Sequence, residues 1–412
     1  MRTVRTVSEH RALVAALLPP TPVEVVPLGE ALGRILAENL VTSTALPPFD
    51  NSAMDGYAVR ADDVARAGGD HPVRLPVAQD IPAGRTDVVA LRPGTAHRIM
   101  TGAPLPAGAD AVVRVEDTDG GTGTVRVDVA VPAGNHIRRV GEDAALGALA
   151  LPAGTLLGPA QLGLAAAVGS ATVAVRRRPK VLVLSTGTEL VAPGQPLRHG
   201  QIYESNGPML AAAVTEAGGV AELLRFVPDD VDQFLAALAE RVAAAGEVDL
   251  LLTSGGVSAG AYEVVKDALA DRGVRFVRVA MQPGGPQGAG RLTGLGPTGD
   301  GPAVVTLPGN PVSSQVSFEV FVRPALRAAM GHPHPDRAVV LARLGESLRS
   351  PSDKRQFRRG ELDARTGTVR TVGGPGSHLL SALARADCLI ELAPSAQPHE
   401  AGTLVNVWLL DR

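Results

Sequence analysis

The stretch RRRPKVLVLSTGTEL, residues 176–190, decides the fold class of the chain. Its centre, KVLVL at 180–184, is a continuous apolar run, which is typical of a strand buried on both faces of a sheet. The polar loop STGTEL directly follows the run. RRRP directly precedes the run and marks a boundary where the pattern of apolar residues changes. The stretch therefore predicts the first strand of an α/β domain.

Strands and helices continue to alternate after this run. The predicted further strands end in Phe226 or lie at 249–253, 274–280 and 303–307. The predicted helices run from Ser205 or Asn206 to 218, from Asp229 or Asp230 to 245, over 262–271 and over 311–330. This alternation implies a parallel sheet in a doubly wound, three-layer α/β domain, where ligands bind beyond the carboxyl ends of the strands.

The flanking sequence predicts smaller units, so the fold class is multidomain α/β plus β. Ser8 can cap a first helix, a second helix is expected over 28–39, and residues 158–171 are expected to be helical. Short strands separated by Gly and Pro turns follow residue 57 and, with a hairpin at Thr366 and Gly367, residue 336. The expected division is a helical linker (1–45 and 144–176), a β-rich domain (46–143), the α/β domain (177–332) and a C-terminal β-barrel-like domain (333–412).

Composition excludes several classes of function. The 412 residues carry 39 basic and 42 acidic side chains and only 3% aromatics, which argues against a nucleic-acid-binding protein. A single cysteine, Cys388, excludes an internal disulfide and a four-cysteine zinc site. We find no signal peptide and no run of about 18 apolar residues, so we expect a soluble cytoplasmic protein that has no membrane span.

Three glycine-containing loops each follow a predicted strand of the α/β domain. They are STGTEL at 185–190, TSGGVSAG at 253–260 and LPGNP at 307–311. In the second loop, amides and hydroxyls of Ser254, Gly255, Gly256 and Ser258 can surround an anion. Pro311 suits the first position of a helix whose amides face the same way. One such loop is as easily a tight turn, but three at one sheet edge favour a phosphate-bearing ligand.

Carboxylates stand at the same edge, although acids repel phosphate. They are Glu189, Asp229, Asp230 and Glu263, each of which alone could cap or begin a helix. A hard cation such as Mg²⁺ allows carboxylates and a phosphate-bearing ligand to share this edge, since it bridges carboxylate and phosphate oxygens. The sequence has no HExxH motif to favour zinc. The glycine-rich MQPGGPQGAG at 281–290 is expected to be a loop after the strand that ends near Ala280.

Five long motifs occur in one order along the chain. They are PPFDNSAMDGYAVRADD (47–63), RIMTGAPLPAGADAVVRVED (98–117), STGTEL with GQIYESN (200–206), LLTSGGVSAG (251–260) and LPGNPVSS (307–314). This order closely resembles the MoeA family, the molybdopterin molybdenumtransferases, which includes the gephyrin E domain. The resemblance implies an enzyme that inserts molybdate into adenylylated molybdopterin and releases AMP with help from Mg²⁺. It also implies a homodimer whose cleft joins the α/β domain of one subunit to the MDG loop of the other.

The resemblance also assigns roles to individual residues. It implies that the catalytic residues are Asp55, Glu189, Asp229 and Glu263, of which the last three hold the metal. It implies that the substrate-binding residues are Thr101, Asp143, Ser254, Gly255, Gly256, Ser258, Arg278, Pro308, Gly309, Asn310, Pro311, Arg359 and Ser377. The resemblance further implies that molybdopterin adenylyltransferase and apo-molybdoenzymes are candidate protein partners.

The chain departs from the family pattern at several loop positions. The acid after the SGG loop is Glu263 rather than aspartate, and two common lysines are replaced by Arg278 and Gln282. Gly285 stands where the family has a lysine in PGKP. These losses leave a second interpretation open, a non-catalytic molybdopterin-binding or scaffold paralogue. An adenylyltransferase, which shares the α/β fold, is opposed by the 176 residues before that domain.

Overall fold

The computed structural model describes residues 4–87, 89–187, 189–224, 231–255, 264–294 and 300–410. Its largest element is a seven-stranded central sheet. In spatial order the strands are Val4–Arg5, Val274–Val279, Pro286–Thr293, Asp300–Leu307, Leu250–Ser254, Lys180–Ser185 and Val220–Leu224. Neighbouring strands are parallel except at Pro286–Thr293, which is antiparallel to both of its neighbours.

Helices cover both faces of the central sheet because its strands are apolar on both sides. Val181 and Val183 face one layer, and Leu182 and Leu184 face the other. The first layer contains Val7–Leu17, Asn206–Glu216 and Pro311–Ser317, and the last of these continues through a π turn, Phe318–Val322, into Arg323–Ala329. The second layer contains Val231–Ala245 and Val264–Ala270. The predicted doubly wound three-layer domain is confirmed.

The stretch 281–290 is not the predicted loop. Met281–Gln282 is a short strand beside Arg355–Asp363, and Pro286–Thr293 is a central strand, so the sheet is mixed rather than wholly parallel. Its glycines allow close approach of other chain segments: a Cβ at Gly290 would lie 2.0 Å from the carbonyl oxygen of Gly273. The glycines that suggested a loop therefore serve packing inside a sheet.

The start of the chain differs from expectation in two places. The helix Val7–Leu17 is capped by Thr6 rather than Ser8, because Thr6 Oγ1 accepts from Glu9 N (3.2 Å) while Thr6 N donates to Glu9 Oε2 (2.8 Å). The helix predicted over 28–39 is wrong: the structure has only a 3₁₀ turn, Leu28–Glu30. Ile35 and Leu36 instead form bridges to Leu156 and Val175, contacts from far along the chain.

The first strand and helix contact the central sheet and its helices, although the sequence analysis grouped residues 1–45 with 144–176. The division into domains stays a prediction. Residues 158–171 do contain a helix, Pro159–Ala167, as expected. The described residues also form four two-stranded sheets: Val23–Pro27 with Thr172–Arg176, Leu40–Val41 with Leu149–Leu151, Asn51–Ser52 with Ile137–Arg138, and Leu190–Val191 with Ile202–Tyr203.

The N-terminal sheet has five strands and carries one of the predicted polar loops. In spatial order the strands are Ala111–Arg114, Gly56–Val59, Ala96–Ile99, Val73–Ile81 and Thr124–Val127, with a short helix, Ala61–Val64. Valines and Tyr57 fill the core beneath it. This arrangement fits the strand-rich reading of residues 57–140.

The C-terminal strands close into a barrel, as predicted. Its strands in order are Arg355–Asp363, Thr368–Thr371, Val339–Leu344, Leu404–Leu409 and Cys388–Leu392, and the last pairs again with the first. The predicted hairpin at Thr366 and Gly367 joins the first two, and a helix, Leu380–Arg385, lies beside them. Among the described residues, every helix is too short or too polar to cross a bilayer.

Candidate functional site

The first cluster of predicted site residues lies on the N-terminal sheet. Asp55 Oδ1 accepts two hydrogen bonds from Thr101, one from the backbone N (2.7 Å) and one from Oγ1 (2.8 Å). The next residue, Gly56, has no room for a side chain, because a Cβ at this position would lie 1.9 Å from the carbonyl oxygen of Val113. The structure therefore brings together two residues, 46 positions apart, that only the family resemblance had connected.

The bonds from Thr101 favour the ionised form of Asp55. The Thr101 N–H, then its hydroxyl, and the charge of Arg98 lower the pKa of the Asp55 carboxyl, although its side chain is exposed. A carboxylate with a lowered pKa is a weak proton acceptor but a persistent negative charge. Such a group is better suited to orient a water molecule or a cation than to remove a proton.

Asp143 lies in the loop that packs against the start of the same polar segment. Its backbone N donates to the carbonyl oxygen of Leu46 (2.9 Å), and its carboxylate is exposed. Asp50 links its own loop to the loop that contains Arg139 and Val140, since Arg139 Nη1 (2.6 Å) and Val140 N (2.8 Å) both donate to its carboxylate. The Val140 N–H and then Arg139 lower the pKa of Asp50. Asp50 thus has a structural role close to Asp143.

A second cluster sits at the carboxyl ends of the central strands. Asn206 Nδ2 donates to Ser254 Oγ (2.8 Å) and to the carbonyl oxygen of Gly309 (2.6 Å). Ser254 Oγ lies 3.0 Å from Ser314 Oγ, which donates to the carbonyl oxygen of Pro308 (2.9 Å). Ser254 is buried, so its hydroxyl holds the 307–311 loop rather than pointing outward.

Gly255 continues this cluster through its backbone. Its N–H donates to the carbonyl oxygen of Leu307 (3.1 Å), and its φ of +96° lies in the left-handed region that favours glycine. Asn310 then precedes Pro311, the first residue of its helix, as the sequence predicts. These hydrogen bonds tie Asn206, Ser254 and Gly255 to the 307–311 loop. Asn206 was missed as its central link, although it stands in the GQIYESN motif.

The predicted metal ligands are only partly within the described residues. Glu189 is exposed, and its carboxylate folds back over Gly187, where an added Cβ would lie 2.6 Å from Oε2. Asp229, Gly256, Ser258 and Glu263 lie outside the residues that the structure describes. Among those it does describe, no three His, Cys, Asp or Glu side chains gather closely enough to hold a metal.

A cleft of about 530 Å³ separates the central sheet from the barrel. The polar or charged residues that line it are Arg278, Gln282, Asn310, Ser313, Lys354 and Ser377. Pro308 and Gly309 also line it, together with the 283–286 turn and Gly376. The structure thus places Arg278, the 308–310 loop and Ser377 around one cleft, while their role in binding substrate stays a prediction. Lys354 was missed because it stands in a polar stretch with no recognisable pattern, whereas Ser313 was missed although it stands in the LPGNPVSS motif.

Arg359 differs from its expected role. Its side chain is buried, is absent from the cleft lining, and donates to the carbonyl oxygens of Gly374 and Gly376 (3.2 Å for the latter). Ser377 in turn accepts from Val312 N (3.1 Å) through its carbonyl oxygen. Arg359 therefore shapes the loop that presents Gly376 and Ser377 to the cleft, because its own charge is used by backbone carbonyls.

Family models match nearly the whole chain: the MoeA N-terminal region (domain I and II) at residues 5–169, a probable molybdopterin binding domain at 182–328, and the MoeA C-terminal region (domain IV) at 341–410. Molybdopterin molybdenumtransferase 2 of Mycobacterium tuberculosis (strain ATCC 25618 / H37Rv) is 53% identical, with 98% of this chain and 99% of that protein covered. Molybdopterin molybdenumtransferase of Bacillus subtilis (strain 168) is 35% identical, with 94% and 90% covered.

The fold agrees with solved structures as well. The molybdopterin biosynthesis moea protein from Pyrococcus horikosii superposes with a TM-score of 0.83 at 32% identity, and 99% of each chain is covered. The N-terminal sheet, the central sheet and the barrel therefore occur together in a relative of known structure. From the matched models, the full-length relatives and this shared architecture, the chain belongs to the MoeA family.

Proposed function

We propose that this chain is a molybdopterin molybdenumtransferase, which inserts molybdate into adenylylated molybdopterin and releases AMP. The observation that carries the proposal is the 53% identity to a molybdenumtransferase over 98% of the chain. The Asp55–Thr101 pair supports it, because the acid and its hydrogen-bond donor are both retained and in contact. Water cleaves the phosphoanhydride bond to give AMP and the phosphate of molybdopterin. The two dithiolene thiols form bonds to molybdenum, and their protons leave with one molybdate oxygen as water.

The cleft is the proposed place for substrate. Its wall offers the peptide groups of the 308–310 loop, hydroxyls and two cations, which suit phosphate or molybdate oxygens. Its floor is rigid because the bonds among Asn206, Ser254 and Gly309 fix the loop. Rigid donors add to catalysis since they need no reorganisation when charge develops on the substrate.

Mg²⁺ is the proposed cofactor, and the chemistry of the available donors fits it. Glu189, together with Asp229 and Glu263, would supply carboxylate oxygens, the ligands that this hard cation prefers. When bound, the ion would neutralise phosphate charge as the anhydride bond breaks. Asp55 contributes a fixed negative charge whose natural role is to orient water beside the phosphorus.

A homodimer is proposed because the acid and the cleft lie in different parts of one chain. Among the described residues, none from the N-terminal sheet lines the cleft. In the proposed assembly, Asp55 and Thr101 of one copy face the cleft of a second copy. The protein partners proposed are molybdopterin adenylyltransferase, as the source of substrate, and apo-molybdoenzymes, in the cytoplasm.

The test is to mix purified protein with adenylylated molybdopterin, molybdate and Mg²⁺. AMP release and reconstitution of an apo-molybdoenzyme are then measured. We expect both to depend on molybdate. Tight binding of the pterin without AMP release would instead support the scaffold alternative, which the loss of lysine at Gln282 and Gly285 favours.

A further inference from the structure

The side chains that line the cleft carry a positive charge. Arg278 enters it from the central sheet and Lys354 from the residues just before the first barrel strand. None of the described residues that line the cleft is an aspartate or glutamate. The lining therefore has two cations and no anion, whereas the whole chain has a net charge of −3.

Neither cation makes a side-chain hydrogen bond within the part of the chain that the structure describes. Asp353 Oδ2 lies 3.9 Å from Lys354 Nζ, which is a long ion pair and too far for a hydrogen bond. The next residue provides a contrast, because Arg355 Nη1 lies 2.8 Å from Glu391 Oε1 and is paired. Of two adjacent cations, the one at the cleft is the one left for a ligand.

The departures from the family pattern gain a structural explanation at the same place. Gln282 does not replace the charge of a lysine: its Oε1 accepts from Gln356 Nε2 (2.9 Å) and so links the short strand to the barrel. Gly285 lines the cleft with no side chain at all. The wall formed by the central sheet has therefore lost charge, and the facing wall contains Lys354.

We propose that Lys354 and Arg278 together bind one tetrahedral oxyanion between the two walls of the cleft. Because Met281–Gln282 pairs with Arg355 and Gln356, the walls are joined by backbone hydrogen bonds, and the two cations are held at the cleft before the anion arrives. The inference rests on the proposed function, which supplies two such anions: molybdate and the phosphate groups of the pterin nucleotide.

The first test compares Lys354→Met with Lys354→Arg and with the control Arg365→Met. Arg365 is exposed in the turn at the far end of the same barrel strand, so its loss changes net charge equally without touching the cleft. Equilibrium binding is measured in two arms, molybdate alone and adenylylated molybdopterin without molybdate. We expect Lys354→Met to weaken binding by about tenfold in one arm, which identifies the anion, while Lys354→Arg and Arg365→Met stay near the parent.

The second test restores the charge from the opposite wall. A Cβ at Gly285 would lie 3.5 Å from the carbonyl oxygen of Val279, an ordinary contact, and the backbone there is outside the left-handed region. Gly285→Lys added to Lys354→Met should recover most of the lost affinity, which a merely structural defect would not do. Thermal melting confirms that each variant is folded.

The outcomes separate this inference from the proposed function. Unchanged binding of both anions by folded Lys354→Met overturns the role of Lys354. A parent protein that binds the anion through Lys354 but never forms AMP supports the site and contradicts the enzyme. Loss of binding that Lys354→Arg shares, and that Gly285→Lys does not repair, also overturns the inference, because charge would then not be the cause.

Discussion

The Asp55–Thr101 pair and the cleft are two polar regions of opposite charge. Asp55 is an acid whose charge is fixed by donors from its own sheet, since Thr101 supplies both hydrogen bonds. The cleft presents two cations that have no side-chain hydrogen bond within the described residues, and no acid lines it there. The two regions therefore lie apart within one chain and meet only in the proposed dimer.

The comparison also separates residues that form a site from residues that support one. Thr101 supports Asp55 through its donors, and Asn206 supports the cleft by tying Ser254 to Gly309. Changes at the acid should therefore remove chemistry and leave anion binding intact. Changes at the cleft should weaken anion binding and leave the chemistry of the bound substrate intact. Changes at supporting residues should have smaller effects.

The largest effect is expected for Asp55→Asn. AMP formation should fall by roughly 100-fold or more, the scale of a lost acid–base or water-orienting group, while molybdate binding stays unchanged. The exposed site should keep the fold intact. Asp70→Asn, an exposed acid elsewhere in the N-terminal region, is the matched control for loss of charge. Equal activity of Asp55→Asn and parent would remove Asp55 from the reaction.

Asn206→Ala should have the next largest effect. It removes two hydrogen bonds from the loop unit, so the free energy of unfolding should fall by about 1–2 kcal/mol, and substrate KM should rise more than kcat falls. Denaturant unfolding and steady-state kinetics measure both. Asn39→Ala, which removes the bond from Ala153 N to Asn39 Oδ1, is the control that should leave KM alone.

Thr101→Val should change the pH dependence rather than abolish activity. The folded pKa of Asp55 is lowered, so its bonds stabilise the fold above the pKa of unfolded aspartate and are lost as pH falls through the folded pKa. Losing the Thr101 hydroxyl raises that pKa, and the acidic limb of the activity profile should move to higher pH. Thr101→Ser keeps the hydroxyl and should keep the parental limb. An identical limb in all three proteins would mean that another group sets it.

The smallest effect is expected for Gly285→Lys in the otherwise unchanged protein. A third cation at the cleft should tighten anion binding a few-fold, and increasingly so at low salt, because the site is open to solvent. Isothermal calorimetry at two ionic strengths would measure it. Weaker binding would show that the cleft has no room for a further side chain.

Sequence alone predicted the parts of the fold that depend on local pattern. The buried runs at 180–184 and 249–253 became central strands because strands apolar on both faces need helices on both sides. Pro286–Thr293 was missed because glycine suggests a turn locally, whereas here it permits contact with Gly273 and Thr306, which lie elsewhere in sequence. The failed helix at 28–39 has the same cause, since Ile35 and Leu36 form bridges to Leu156 and Val175, which lie more than 100 residues away.

The site was predicted in the same uneven way. Motif resemblance identified Asp55, Thr101 and the 308–310 loop, and the structure shows the first two in contact. Arg359 was assigned to the ligand, but burial and two backbone carbonyls give it a supporting position. Lys354 could not have been found, because a lone lysine in SPSDKRQ gains meaning only when the barrel brings it to the cleft.

The central claim is that the acid of one copy completes the cleft of another, and mixed dimers test it most directly. Asp55→Asn is co-expressed with the double variant Arg278→Ala/Lys354→Ala, and each is also purified alone. If sites form between copies, random pairing leaves about a quarter of all sites with both halves intact, so limiting-molybdate activity should return to that fraction. If the mixed dimers have no more activity than either variant purified alone, each site lies within one chain.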